Sequence, residues 1–146
     1  MLRPTLLLVL ALVAYDEVTG VDHGGSNRKC PIVVKVLNAV NGTPAANLNV
    51  QILRQNEDLS WHQFNTGVTG INGEVHNLTS EENFVAGLYK VHFDTGVYWR
   101  SLGFTPFHEC ANVVFRVKSD THHHYTLALL LSPYSYSSTG VVSNPH

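Results

Sequence analysis

Charge is scarce in this sequence, and so are cysteines and long apolar runs. Charged residues make up 14% of the 146-residue chain, and the formal net charge is −2. No Lys/Arg stripe or cluster occurs, so the electrostatic footprint of a nucleic-acid binder is missing. Low charge beside 44% apolar residues also excludes a disordered chain and provides a packed core for one domain. The two cysteines, Cys30 and Cys110, are too few to form a disulfide framework. The core must therefore hold the fold. Catalytic signatures are absent as well: there is no G-x-S-x-G elbow, no H-E-x-x-H, no glycine-rich phosphate loop and no paired C-x-x-C. Ser132, Ser135, Ser137 and Ser138 read as strand and turn residues.

No apolar run reaches the roughly 20 residues that cross a bilayer. The run at 6–13 follows Arg3 and precedes the small residues Ala14 and Gly20, which is the pattern of a secretory leader. Residues 1–20 are therefore read as a signal peptide, with cleavage after Ala14 as the second choice. Residues 21–29 are polar, contain Gly24-Gly25, and read as a flexible N-terminal arm. Residues 30–146 form the expected folded domain. The mature protein is expected to be secreted and extracellular, with no membrane or nucleic-acid partner.

Beyond Pro31, period-two alternation and β-branched residues dominate. Strands are expected at 32–39, 48–54, 61–68, 73–76, 88–99, 113–118, 125–131 and 135–142. Asn41-Gly42 reads as a hairpin turn. One helix of about two turns is expected at Thr79-Ser80-Glu81-Glu82, a capping box with acids at the positive end of the helix dipole. Gly87 is placed to end it. A lone helix among strands disfavours a doubly wound α/β fold. The expected class is all-β: an eight-stranded antiparallel β-sandwich with one short helix.

Nine histidines stand out. His122-His123-His124 would point to alternating faces of an extended chain, a poor metal geometry, and reads as a solvated loop. His108-Glu109-Cys110 offers two ligands on one face but no third nearby. No catalytic residue, metal or cofactor is assigned. Two Asn-X-Thr sequons occur, at Asn41 and Asn77, the first followed by Pro44.

The faces of three strands carry more information. Lys35 and Leu37 share one face of the first strand, and Val34 and Val36 the other. In the last two strands Thr126, Ala128 and Leu130 share a face, as do Ser137, Thr139 and Val141. Larger residues alternate with them as expected core: Leu127, Leu129, Leu131 and Tyr136. Small apolar and hydroxyl side chains leave room above the sheet. Alternation alone does not separate a ligand pocket from a subunit interface there.

Several separated motifs agree in order and spacing with one family. Cys30-Pro31-Ile32-Val33-Val34-Lys35-Val36-Leu37, Gly73-Glu74-Val75-His76, Tyr98-Trp99, Phe107-His108-Glu109 and Leu130-Leu131-Ser132-Pro133-Tyr134-Ser135-Tyr136-Ser137 resemble the transthyretin family, from about Cys30 to Pro145. The resemblance implies a transthyretin-like (prealbumin-like) sandwich in a homotetramer, a dimer of dimers around a central channel. It implies transport of the thyroid hormones thyroxine and triiodothyronine, with retinol-binding protein as a candidate partner. Carried over by position, the channel would be lined by Lys35, Leu37, Glu74, Thr126, Ala128, Leu129, Leu130, Ser137, Thr139 and Val141, Leu129 contributing mainly backbone. Lys35 would take the ligand carboxylate, Glu74 its ammonium, and Ser137 and Thr139 its phenol.

The same fold has enzymatic relatives, the 5-hydroxyisourate hydrolases, which are the alternative reading. Their site needs His, Arg and His where this chain carries Lys35, Glu74 and Thr126, and a C-terminal Tyr-Arg-Gly-Ser where it carries Thr139-Gly140-Val141-Val142. Hydrolysis needs a base near neutral pKa and a cation for the developing anion, so the expectation is that the chain is not an enzyme. A third class, a purely structural protein, would have a closed, dry channel.

Overall fold

The computed structural model describes residues 30–119 and 123–144. The leader, the arm and His122 lie outside the described residues. Two sheets pack face to face. One contains β1 (Ile32–Asn38), β2 (Thr43–Pro44), β5 (Glu74–Val75), β8 (His124–Ser132) and β9 (Ser135–Ser143), in the order β2-β1-β8-β9 with β5 also on β1. The other runs β4-β3-β6-β7, from β3 (Asn49–Gln55), β4 (Trp61–Val68), β6 (Gly87–Phe93) and β7 (Ala111–Val117). A helix, α1 (Thr95–Ser101), follows β6.

This is the expected all-β sandwich with one short helix. β1 pairs with β8 in parallel, however, with Ile32 opposite Tyr125 and Asn38 opposite Leu131, so the sandwich is not antiparallel throughout. Hairpins force antiparallel neighbours, but no hairpin joins β1 to β8. Asn41-Gly42 turns the chain as expected: Asn38 pairs with Thr43, and Gly42 takes φ +70°, a conformation open to glycine at little cost.

Alternation places the core. Val34 and Val36 of β1 and Leu127, Leu129 and Leu131 of β8 point inward to meet Val50, Ile52, Tyr89, Val91 and Phe93 of the opposite sheet, all buried. Tyr136, expected in the core, is exposed at 38% and packs edge-on against His108, ring centroids 5.0 Å apart. β9 is an edge strand with every residue exposed, so no second layer covers it.

The helix is displaced from its expected position. Thr79-Ser80-Glu81-Glu82 forms only a turn, with Phe84 N–H donating to Ser80 O at 3.0 Å. The Thr79 hydroxyl donates to Ser80 O instead of capping. Leu78 and Phe84 are both buried, at opposite ends of that turn, so core packing dictates its path and two unsupported helical turns do not form. The helix lies at Thr95–Ser101, overlapping the end of the strand expected at 88–99. Among its buried residues, Thr95, Gly96, Tyr98 and Trp99, the three with sizeable side chains follow helical spacing. The aromatic, β-favouring Tyr98-Trp99 concealed that period. Gly103, at φ +84°, ends it, with Gly103 N–H donating to Arg100 O. The Tyr98 hydroxyl accepts a 3.0 Å hydrogen bond from the buried Asn38 amide and so ties α1 to β1.

Candidate functional site

The outer face of the β5-β1-β8-β9 sheet gathers nine of the ten carried-over positions. Pairing registers set them in rows. Glu74 lies opposite Lys35, Lys35 beside Ala128, and Ala128 opposite Thr139. Leu37 lies beside Leu130, which faces Ser137. Thr126 faces Val141. Paired residues in neighbouring strands share a face, so these side chains form one continuous surface. The tenth, Leu129, is 0% exposed: its side chain belongs to the core, and only its backbone reaches the site strand. Leu130, the next residue, is 44% exposed and Val141 52%.

One end of this surface is charged. Lys35 Nζ lies 3.1 Å from Glu74 Oε1, a cross-strand pair of opposite charges. Glu74 Oε2 accepts from Asn72 Nδ2 at 2.9 Å and lies 2.9 Å from His76 Nε2. Hydrogen bonding from His76 first, and from Lys35 second, holds the Glu74 carboxyl below the ordinary carboxylate range. Lys35 and Glu74 therefore meet each other. Asn72 and His76 are not among the ten expected positions. Their spacing of two on either side of Glu74 along an extended segment was the available signal. The opposite end carries the hydroxyls of Ser137 and Thr139. Interstrand and along-strand spacings put about 12 Å between the Lys35 and Ser137 backbones.

The remaining singled-out groups lie elsewhere. Glu109 forms a two-pronged ion pair with Arg100, at 2.6 and 3.0 Å, and His108 packs between Phe107 and Tyr136. His124 begins β8 instead of sitting in a solvated loop, with Nε2 3.4 Å from Glu81 Oε1. Both cysteines are free thiols. A cavity of about 430 Å³ opens at one end of the sandwich, lined by Pro31, Phe84, Val85, Val117 and Tyr125 among others. None of the ten positions lines it.

Comparison with known proteins agrees with this fold. The model of the HIUase/Transthyretin family matches residues 32–139. Transthyretin of Aquarana catesbeiana is 53% identical over 122 residues, spanning 84% of this chain and 80% of its own length. The crystal structure of transthyretin from Sparus aurata is similar with a TM-score of 0.77 at 52% identity, covering 80% of this chain and all of that one. Sea bream transthyretin in complex with thyroxine is similar with a TM-score of 0.76 at 53% identity, covering 80% of this chain and 99% of that one.

Proposed function

The chain belongs to the HIUase/transthyretin family, and from that premise we propose that it is a secreted, non-enzymatic carrier of thyroxine and triiodothyronine. The observation that carries this reading is the open sheet face, charged at one end and bearing hydroxyls at the other, in a chain 53% identical to a transthyretin solved with thyroxine. Two such faces, brought together in a homotetramer, would enclose a channel. The apolar side chains Leu37, Ala128, Leu130 and Val141 would take the aromatic rings and iodines, and burial supplies most of the affinity at about 25 cal/mol per Å². The hormone's carboxylate replaces Glu74 at Lys35, and its ammonium takes Glu74. That exchange is worth about 0–1 kcal/mol per exposed pair, so it orients the ligand more than it holds it. The Ser137 and Thr139 hydroxyls bond the phenol. The leader at 1–20 and the arm at 21–29 belong to the same proposal. Retinol-binding protein as a partner rests on the family resemblance alone.

Hydrolase chemistry is the competing reading, because the family includes such enzymes. The ten positions hold no histidine and no arginine, the residue types that the hydrolase pattern needs for its base and its cation. Titration of the purified protein with thyroxine and triiodothyronine tests the proposal. Saturable binding at up to two hormones per tetramer is expected, and Ser137→Met, which fills the face opposite Leu130, is expected to abolish it while leaving the circular dichroism unchanged. Unaltered affinity in that variant, or turnover of 5-hydroxyisourate that is lost on mutating the face, would refute it.

A further inference from the structure

The two sequons fold into different environments. Asn41 lies in the loop between β1 and β2, where its side-chain oxygen accepts from Thr43 N–H at 3.3 Å and from the Thr43 hydroxyl at 2.6 Å. Pro44 follows, holding Thr43 extended and contributing no N–H. Only the oxygen of that asparagine is engaged in the turn, so the proline directly after the threonine is what sets this sequon against use. Asn77 stands just beyond β5, exposed, at φ +61°, a left-handed conformation that asparagine tolerates better than most residues. Its Oδ1 accepts from Cys30 Sγ at 3.3 Å. Its amide nitrogen makes no hydrogen bond among the described residues, and that nitrogen is the atom an N-linked sugar occupies.

We propose that Asn77 carries an N-linked glycan that stands over Cys30. The inference rests on the secretory route proposed above, because the modification belongs to that route. In the transfer, the Asn77 amide nitrogen bonds to C1 of the first sugar of a lipid-pyrophosphate-linked oligosaccharide. The C1–O bond to phosphate breaks, the lipid pyrophosphate leaves, and one amide proton is lost. Leu78, the central residue of the sequon, is 1% exposed and locked in the core, so transfer must precede closure of the sandwich. The folded state then accommodates the sugar, because the Asn77 side chain remains outside and its Oδ1 can keep the Cys30 contact. Cys30 is a free, half-buried thiol, and a branched sugar one hydrogen bond away covers its approach. Cys110, whose sulfur accepts from Asn112 at 3.6 Å, has no sequon beside it and stays uncovered.

The full chain with its own leader, expressed in cultured animal cells, tests this. Secreted protein is treated with a peptide N-glycosidase in heavy-oxygen water, and the tagged aspartate is located by mass spectrometry. The tag is expected at Asn77 and not at Asn41, and Asn77→Gln and Thr79→Ala should each lose the glycosidase mobility shift. Thr79→Ala keeps the asparagine and its thiol contact, so it isolates the sugar's effect. Labelling of Cys30 by a bulky maleimide is expected to be faster in that variant than in the glycosylated protein, with Cys110 labelling unchanged. Secreted protein bearing no sugar at Asn77 would overturn the glycan and leave the secretory reading intact. Protein retained in the cytosol would overturn both. Equal Cys30 labelling with and without the sugar would overturn the shielding.

Discussion

Leu129 and Leu130 are chemically identical neighbours on β8 with opposite fates, and truncating each in turn tests the assignment of the two sheet faces. Leu129 is fully buried among Val36, Leu131 and the facing sheet, whereas Leu130 is 44% exposed on the outer face. Leu129→Ala removes the transfer energy of the lost carbons and leaves a cavity in a close-packed core, a cost of about 3–5 kcal/mol. The same change at Leu130 removes a side chain that is little more than half buried in the single chain. Its cost to the fold should be about 1 kcal/mol or slightly more, from about 1.5–3 kcal/mol for a fully buried leucine. Under the proposed function hormone covers the remaining exposed surface, worth about 1 kcal/mol and so roughly a fivefold loss of affinity on truncation. Urea unfolding and thyroxine titration at matched protein concentrations measure both quantities. Because Leu130 also faces the proposed subunit contact, unfolding is repeated at a second concentration and only the concentration-independent part is compared. The reasoning fails if Leu130→Ala destabilises the chain as much as Leu129→Ala does. It also fails if Leu129→Ala weakens hormone binding more than Leu130→Ala in protein that is still folded.

Glu74→Gln should lower stability near neutral pH by under about 1 kcal/mol, since the cluster is partly exposed. The Glu74 carboxyl ionises below its ordinary value of 4.5, so its contribution is complete above that pH and is lost as pH falls through the lowered folded value. Unfolding curves for wild type and variant should therefore converge in acid, and a gap that widens there would contradict the cluster. Tyr98→Phe strands the buried Asn38 amide without its acceptor and should cost about 1–3 kcal/mol. Thermal unfolding measures that loss, and a Tyr98→Phe protein as stable as wild type would refute the tie between α1 and β1.

Much of the fold could be read from alternation. Lys35 and Leu37 share the outer face, and Val34 and Val36 the core, because a strand repeats every two residues and only one face of this sheet meets the other sheet. The helix forms elsewhere than local signals place it because packing overrides local propensity. A sound capping box at Thr79 lost to the burial of Leu78 and Phe84, and a strand-like run of aromatics became α1 because Tyr98 and Trp99 had an interior to enter. Tyr136 was misassigned for a related reason: a large aromatic at an inward-looking position stays exposed when its strand is an edge.

The site divides along the same line. Which residues alternate onto a common face, which are small and which bear hydroxyls are properties of the chain itself, together with the motifs that connect it to its family. That Glu74 neutralises Lys35, that Asn72 and His76 brace the same carboxylate, and that Leu37, Leu130 and Ser137 lie in one row depended on strand register between residues tens of positions apart. Register is a tertiary quantity. It is fixed where buried side chains of β1 and β8 interlock with the opposite sheet, since a slip of one residue would turn the core-facing set to solvent. The outer face, which would hold the ligand, is aligned as a consequence of that inner packing.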